Sequence, residues 1–185
     1  MKINQQSSIY FVSFFTFVIF GFILFLYAIN SFLADKIENA KTQEITTLLN
    51  NNMPCKDYQL TNIDNNEFYY CKDQRIIAKH AFSDFAYADK IEYLVFLNIT
   101  KLNINHIEII NHKETPGLGD KITNQDWLKT LYYKAASLLK LKMDGGDIDS
   151  FTAASLTPKT FLKSLKNDLQ WLKNNQTNIT NKIQG

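Results

Sequence analysis

His112 to Ile122 reads HKETPGLGDKI, and Asp144 to Pro158 reads DGGDIDSFTAASLTP. Gly117, Gly119, Gly145 and Gly146 are four of the six glycines in the chain, and no glycine lies between Gly21 and Gly117. Glycine gathers where backbone turns sharply or is closely approached, so the special backbone of this chain lies in these two loops. Pro116 and Gly117 suit the second and third positions of a type II turn. Such a loop exposes backbone N–H groups and pushes Leu118 outward; a ligand loop and a plain strand-to-helix connection fit it equally. It matches neither the P-loop nor the dinucleotide glycine pattern. In the second loop, Thr157 is expected to cap a helix, with Pro158 as its first residue. A helix N-terminus offers unpaired N–H groups and a partial positive charge, which suits a phosphate. The hydroxyl of Ser155 could bond such a phosphate or be esterified by one. Simple capping by Ser155 and Thr157 is the competing reading.

Around the loops, two segments carry helical periodicity. DWLKTLYYKAASLLKL places Trp127, Leu128, Leu131, Tyr132, Ala135, Leu138 and Leu139 on one face. TPKTFLKSLKNDLQWLKNN does the same with Phe161, Leu162, Leu165, Leu169 and Leu172. Upstream, EFYYCKD, RIIAKHAF, KIEYLVFLNIT and KLNINHIEIINH have strand-like composition. In the last, Leu102, Ile104, His106 and Glu108 alternate with Asn103, Asn105, Ile107 and Ile109, which is poor as a helix stripe and acceptable as a strand. Asp35 to Leu49 reads as a polar helix ended by Asn50 to Pro54. The C-terminal Lys- and Asn-rich end is expected to be solvated and frayed.

The first residues set the compartment. Ile9 to Leu33 is uncharged and apolar. As a helix it would be about 37 Å long, at about 1.5 Å per residue, which clears a hydrocarbon core of roughly 30 Å. Tyr10 and Tyr27 suit the interface. A signal peptide would have a shorter apolar core and a small-residue cleavage site, so an uncleaved anchor is expected. Lys2 and the amino terminus on one side and Lys36 and Lys41 on the other leave orientation open by charge. Cys55 and Cys71 are the only cysteines. They either close a short loop, a link of about 3 kcal/mol in an oxidising compartment, or remain buried thiols. The formal net charge is +2 and Arg75 is the sole arginine, which argues against nucleic-acid binding. His80, His106 and His112 have no metal-like spacing with the cysteines, and Asp144, Asp147 and Asp149 lack the final glutamate of a calcium loop, so no metal site is expected.

The two loops together resemble the FMN-binding domain of the RnfG/RsxG family, the G subunit of the Rnf/Rsx ion-translocating electron-transport complex. HKETPGLGDKI agrees with the family's first motif at every specified position. DGGDIDSFTAASLT follows its second, D-G-G-D-x-D-x-[FI]-[ST]-G-A-T-[IL]-T, except that Ala153 stands for glycine and Ser155 for threonine. Upstream, Ala86-Tyr87-Ala88-Asp89 stands where the family has G-Y-x-G. The close match covers roughly residues 112 to 159.

The resemblance implies an α+β fold: a single N-terminal transmembrane helix followed by one FMN-binding domain, an antiparallel sheet with packed helices. The expected division is 1–34 anchor, 35–90 membrane-proximal helix and first strands, 91–178 FMN-binding core, and 179–185 tail. It also implies FMN joined through its phosphate to Ser155, placed there by a flavin transferase. The implied cofactor-contacting residues are Glu114, Thr115, Gly117, Leu118, Gly119, Thr152, Ala154, Ser155 and Thr157. No residue is assigned a catalytic role. The implied partners are the other Rnf/Rsx subunits, the transferase and the lipid bilayer, with the soluble domain on the periplasmic side of the bacterial inner membrane. Two other readings stand beside this one: the C subunit of a sodium-pumping NADH:quinone reductase, and a structural subunit without flavin.

Overall fold

The computed structural model describes residues 5–184. Lys2 and Gly185, used above for orientation and for the tail, lie outside the described residues. The chain divides into two compact units, Met1–Glu44 and Ile45–Gly185. Helix α1 spans Gln5–Asn52. In the first unit Phe11, Phe14, Phe17, Phe20 and Phe22 all point outward. Among the described residues, this is the one helix long and apolar enough to cross a membrane. A continuous apolar surface of this kind needs an apolar environment.

The second unit is built on a five-stranded antiparallel meander, in the order β1 (Gln59–Ile63), β2 (Asn66–Tyr70), β3 (Ile76–Phe85), β4 (Lys90–Asn98) and β5 (Asn103–Asn111). The sheet therefore runs across residue 90, and strands on both sides of that expected boundary belong to one unit. From Tyr93 to Leu97 β4 is an unbroken apolar run because both its faces are covered. Ile91, Tyr93, Val95 and Leu97 join the main core with α3 (Leu156–Gln184). Leu94 and Phe96 join a smaller cluster with Ile45 and Leu49 from the end of α1 and Met53 just after it. Cys55 and Cys71 are joined as a disulfide that fastens this cluster to the end of β2.

The inward-facing residues of β5 shift phase between Ile104 and Ile107. Phe96 pairs with His106, but Leu97 pairs with Ile104, so Asn105 is an extra residue in the ladder. Such a bulge lets Ile104 and Ile107 face the same core although they are three apart. Two other expectations are corrected. The helix expected from Asp126 to Leu141 stops early: α2 covers only Gln125–Lys129. Tyr133 N–H then donates to Ile104 O at 2.6 Å, and Lys134 O accepts from Ile104 N–H at 3.3 Å. The free edge of β5 has captured this backbone, and Tyr133 takes a φ of 61° to reach it. Leu128, Leu131 and Leu139 remain buried, but Leu138 is exposed. The C-terminal end is not frayed: α3 continues to Gln184 with Ile179 and Ile183 buried, and Gln176 Nε2 donates to Ile99 O at 2.8 Å.

A buried ion pair joins α3 to the sheet. Lys79 Nζ lies 2.5 Å from Asp168 Oδ1, Tyr93 OH donates to Asp168 Oδ2 at 2.6 Å, and the ammonium sits 4.9 Å from the Trp171 ring centre. Burial holds the Asp168 carboxyl above the usual carboxylate range in spite of Lys79. Burial, then the Asp168 charge, pushes the Tyr93 phenol well up. Removing one member of such a pair strands the other, which costs about 3–5 kcal/mol. Lys79→Met is therefore expected to lower stability by that amount, and Lys79→Met with Asp168→Leu to recover most of it. A carboxyl whose folded pKa is raised loses its contribution as pH rises, so denaturant melts of Lys79→Met are expected to show a greater deficit at pH 8 than at pH 5.

Candidate functional site

Three chain segments meet at the N-terminal end of α3, and Glu114 ties them together. Its carboxyl is buried, at 4% exposure. Oε1 accepts from the N–H groups of Tyr87 at 3.1 Å and Ala88 at 2.9 Å. Oε2 accepts from the Thr157 hydroxyl. The turn after β3, the loop after β5 and the first turn of α3 thus share one carboxylate. Lys113 Nζ adds an outer link to Asp89 Oδ2 at 2.7 Å, and that hydrogen bond holds the Asp89 carboxyl below its ordinary range.

The glycines of HKETPGLGDKI answer to this geometry. Leu118 N–H donates to Thr115 O at 3.1 Å, closing a turn in which Gly117 has a φ of 77°. That is the type II arrangement expected from Pro116-Gly117. Gly119 has another reason. A Cβ there would lie 2.6 Å from Glu114 Oε2, 2.9 Å from Glu114 Cβ and 3.0 Å from Thr157 Oγ1. Only glycine lets the loop close over the Glu114–Thr157 contact.

The second loop is held from below. Trp127 Nε1 donates to Asp149 O at 2.8 Å, and its ring meets that of Phe151 at 4.9 Å. The acidic residues are tied to lysines: Asp147 to Lys134 at 2.5 Å, Asp149 to Lys142 at 2.7 Å, and Asp144 more loosely to Lys159 at 3.8 Å. Among the described residues no group of three His, Cys, Asp or Glu is placed to hold a metal. Ala154 N–H donates to Phe151 O at 3.1 Å, with Ala153 at a φ of 60° inside that turn. This left-handed conformation costs alanine about 1 kcal/mol relative to glycine. Residues 86–89 show no such conformation, so only the replacement at 153 meets a backbone demand.

The helix start differs from the expectation. α3 begins at Leu156, and Ser155 O accepts from Lys159 N–H at 3.3 Å. Ser155 is therefore the cap-position residue, Thr157 the second helical residue and Pro158 the third. Proline is still harmless there, since the N–H it lacks would have had no partner in the helix. Thr157 is fully buried, and its hydroxyl is spent on Glu114. Ser155 is exposed, and its Oγ makes no hydrogen bond among the described residues.

Glu114, Thr115, Leu118, Gly119, Ala154, Ser155 and Thr157 line one cleft of about 480 Å³. Gly117 and Thr152 are not in its lining; both shape the backbone beside it. Tyr87, Ala153 and Leu156 complete the walls and are additions to the sequence-based set. For Tyr87 a signal existed, the divergent G-Y-x-G position; for Leu156 there was none, since an exposed leucine at a helix start has no pattern. The volume lies within the usual range for small-molecule sites. The walls are mostly apolar, and one end carries an open helix N-terminus and a free hydroxyl. A flat aromatic body with a phosphate tail fits this combination.

Residues 86–170 match the family model described as the FMN-binding domain. Over that stretch the chain is similar to FMN-binding domains, and the cleft lies within it. Its relatives are named as the G subunit of an ion-translocating oxidoreductase complex. The protein from Shewanella baltica is 34% identical over 110 residues, 56% of this chain and 51% of the relative. That from Shewanella amazonensis is 38% identical over 86 residues, 43% of this chain and 40% of the relative. That from Buchnera aphidicola is 37% identical over 94 residues, 47% and 44% respectively. The chain thus spans about half the length of the curated relatives it matches, or somewhat less.

Two substitutions test the backbone reading in thermal or denaturant melts. Ala153→Gly is expected to stabilise the fold by about 1 kcal/mol, offset in part by unfolded-state entropy. Gly119→Ala is expected to destabilise it by about 1–3 kcal/mol, the usual range for forcing a group into filled space.

Proposed function

We propose that this chain is the flavin-carrying G-type subunit of a membrane complex that couples electron transfer to ion translocation, with FMN held covalently by a phosphoester to Ser155. The observation that carries this reading is the contrast between two hydroxyls at one helix start. Thr157 is buried and bonded to Glu114, whereas Ser155 is exposed and free at the edge of the cleft. A transferase can reach only the second.

In the attachment step, Ser155 Oγ attacks the FMN phosphorus of FAD. The Oγ–P bond forms, the pyrophosphate P–O bond breaks, AMP leaves, and the Oγ proton passes to a base of the transferase. The unpaired N–H groups at the start of α3 then stabilise the phosphoester charge. Leu118 and Leu156 exclude water from the cleft, and the loop from Glu114 to Gly119 offers backbone donors to a ring. Thr157 stays with Glu114 and keeps the helix start in register with that loop. Bound FMN supplies the one- and two-electron chemistry; these residues set where it sits.

Helix α1 would anchor the chain in the inner membrane, with the domain in the periplasm. The Cys55–Cys71 disulfide supports an oxidising compartment. The partners would be the remaining subunits of the complex. The alternative, a structural subunit without flavin, is separated by one gel. Co-expressed with an active flavin transferase, the denatured wild type is expected to fluoresce as a band under ultraviolet light, and Ser155→Ala to be dark. A dark wild-type band, beside a fluorescent control substrate of the same transferase, would favour the structural subunit.

A further inference from the structure

A second groove, of about 460 Å³, lies on the other side of the α3 start. Its floor is apolar: Leu139, Leu141 and Leu162 are buried within it. Its rim is basic. Lys159, Lys163 and Lys166 come from one face of α3, at the i, i+4, i+7 spacing, and Lys140 comes from the loop opposite. Asp144 is the only acidic residue in the lining. Lys163 is paired with Asp84 at 2.7 Å and Lys159 lies 3.8 Å from Asp144. Lys140 and Lys166 make no ion pair among the described residues. Leu156, 48% exposed, lines both this groove and the cofactor cleft. The groove is therefore continuous with the place where Ser155 presents its hydroxyl.

We propose that this lysine-rimmed groove is where an acidic, apolar-tipped surface of the electron-exchange partner docks. The inference rests on the FMN attachment proposed above. The rim carries four cations against one carboxylate, two of them without an internal partner, so it complements negative charge. The leucine floor rewards apolar contact once charge has brought the surfaces together. Because one leucine borders both pockets, a partner seated here meets the edge of the cofactor cleft. Charge complementarity of this kind mainly raises the association rate and makes it fall with salt. The flavin transferase is the other protein that must approach Ser155.

The test uses the full chain assembled with the other subunits of the complex. Wild type is compared with Lys140→Glu/Lys166→Glu, with the neutral pair Lys140→Gln/Lys166→Gln, and with Lys173→Glu, an exposed site on α3 outside the groove. Flavin fluorescence on a denaturing gel reports attachment, circular dichroism reports the fold, and stopped-flow absorbance reports reduction of the bound FMN by the assembled complex. The expected result is equal flavin loading and fold in all four. The wild-type rate should fall as salt rises from about 50 to 200 mM. The charge-reversed pair should be slowed about tenfold or more and lose most of that salt dependence, with the neutral pair between and Lys173→Glu unchanged. A loaded charge-reversed pair with wild-type rate and salt dependence overturns the docking site. A folded charge-reversed pair that is dark while the wild type fluoresces also overturns it, and assigns the groove to the transferase. A dark wild type overturns the FMN attachment itself, and the docking proposal with it.

Discussion

The carboxylate of Glu114 is the constraint on which the site end of the domain depends. It is buried, and it accepts two backbone N–H groups from one turn and a hydroxyl from α3. A buried carboxylate left short of donors is costly, so these three segments are held to one arrangement. The consequences spread outward. Gly119 must be glycine because the loop passes directly over the Glu114–Thr157 contact. Thr157 cannot serve as the free hydroxyl of the site because Glu114 holds it. The hydroxyl left free is that of Ser155, two residues earlier, where the helix has not yet begun.

A second buried charged group in the domain, the Lys79–Asp168 pair, has a different part. Lys79 and Asp168 lie between the sheet and the middle of α3, away from the cleft lining. Their pairing fixes how the long helix seats on β3 and β4. Replacing a pair of this kind by apolar residues is often tolerated, so its value lies more in register than in net stability. α3 thus carries buried polar anchors at its start, Thr157 on Glu114, and near its middle, Asp168 on Lys79. Between them its apolar face, Phe161, Leu162 and Leu165, fills the core. A helix located in this way can present its first turn to a ligand without that turn needing much stability of its own.

Sequence patterns made the strands from Asn66 onward and the last helix legible, because their apolar residues repeat with a definite period. β1, QLTNI, carried no such pattern; it is a largely exposed edge strand with little to bury. The second helix was misread for a physical reason. Its apolar residues are buried as a helical face would be, but the open edge of β5 offered Tyr133 and Lys134 backbone partners that a helix would have denied. Periodicity records burial and is blind to such a capture. At the site, the motif glycines pointed to the two loops, and the cleft gathers most of the residues they suggested. The choice between Thr157 and Ser155 as cap could not be read from the order of residues. It is decided by Glu114, forty-three positions away from Thr157 in the chain.

Ala153 shows what this arrangement demands of the chain. Its φ of 60° lies in the region where glycine is at ease and alanine is not. The neighbouring turn at 86–89, where alanine and aspartate also replace glycines of the motif, has no such conformation. There the backbone needs only N–H groups aimed at Glu114, which any residue but proline supplies. At 153 the backbone shape itself is retained against the preference of the residue. The turn closes between Phe151, locked on Trp127, and Ala154, which walls the cleft. Relaxing the strain would move Ala154 and Ser155 relative to α3. Phe151 packed on Trp127 and the helix start at Leu156 hold the two ends of the turn, so the local cost is met by the packing around it. The same packing keeps the Ser155 hydroxyl at the mouth of the cleft.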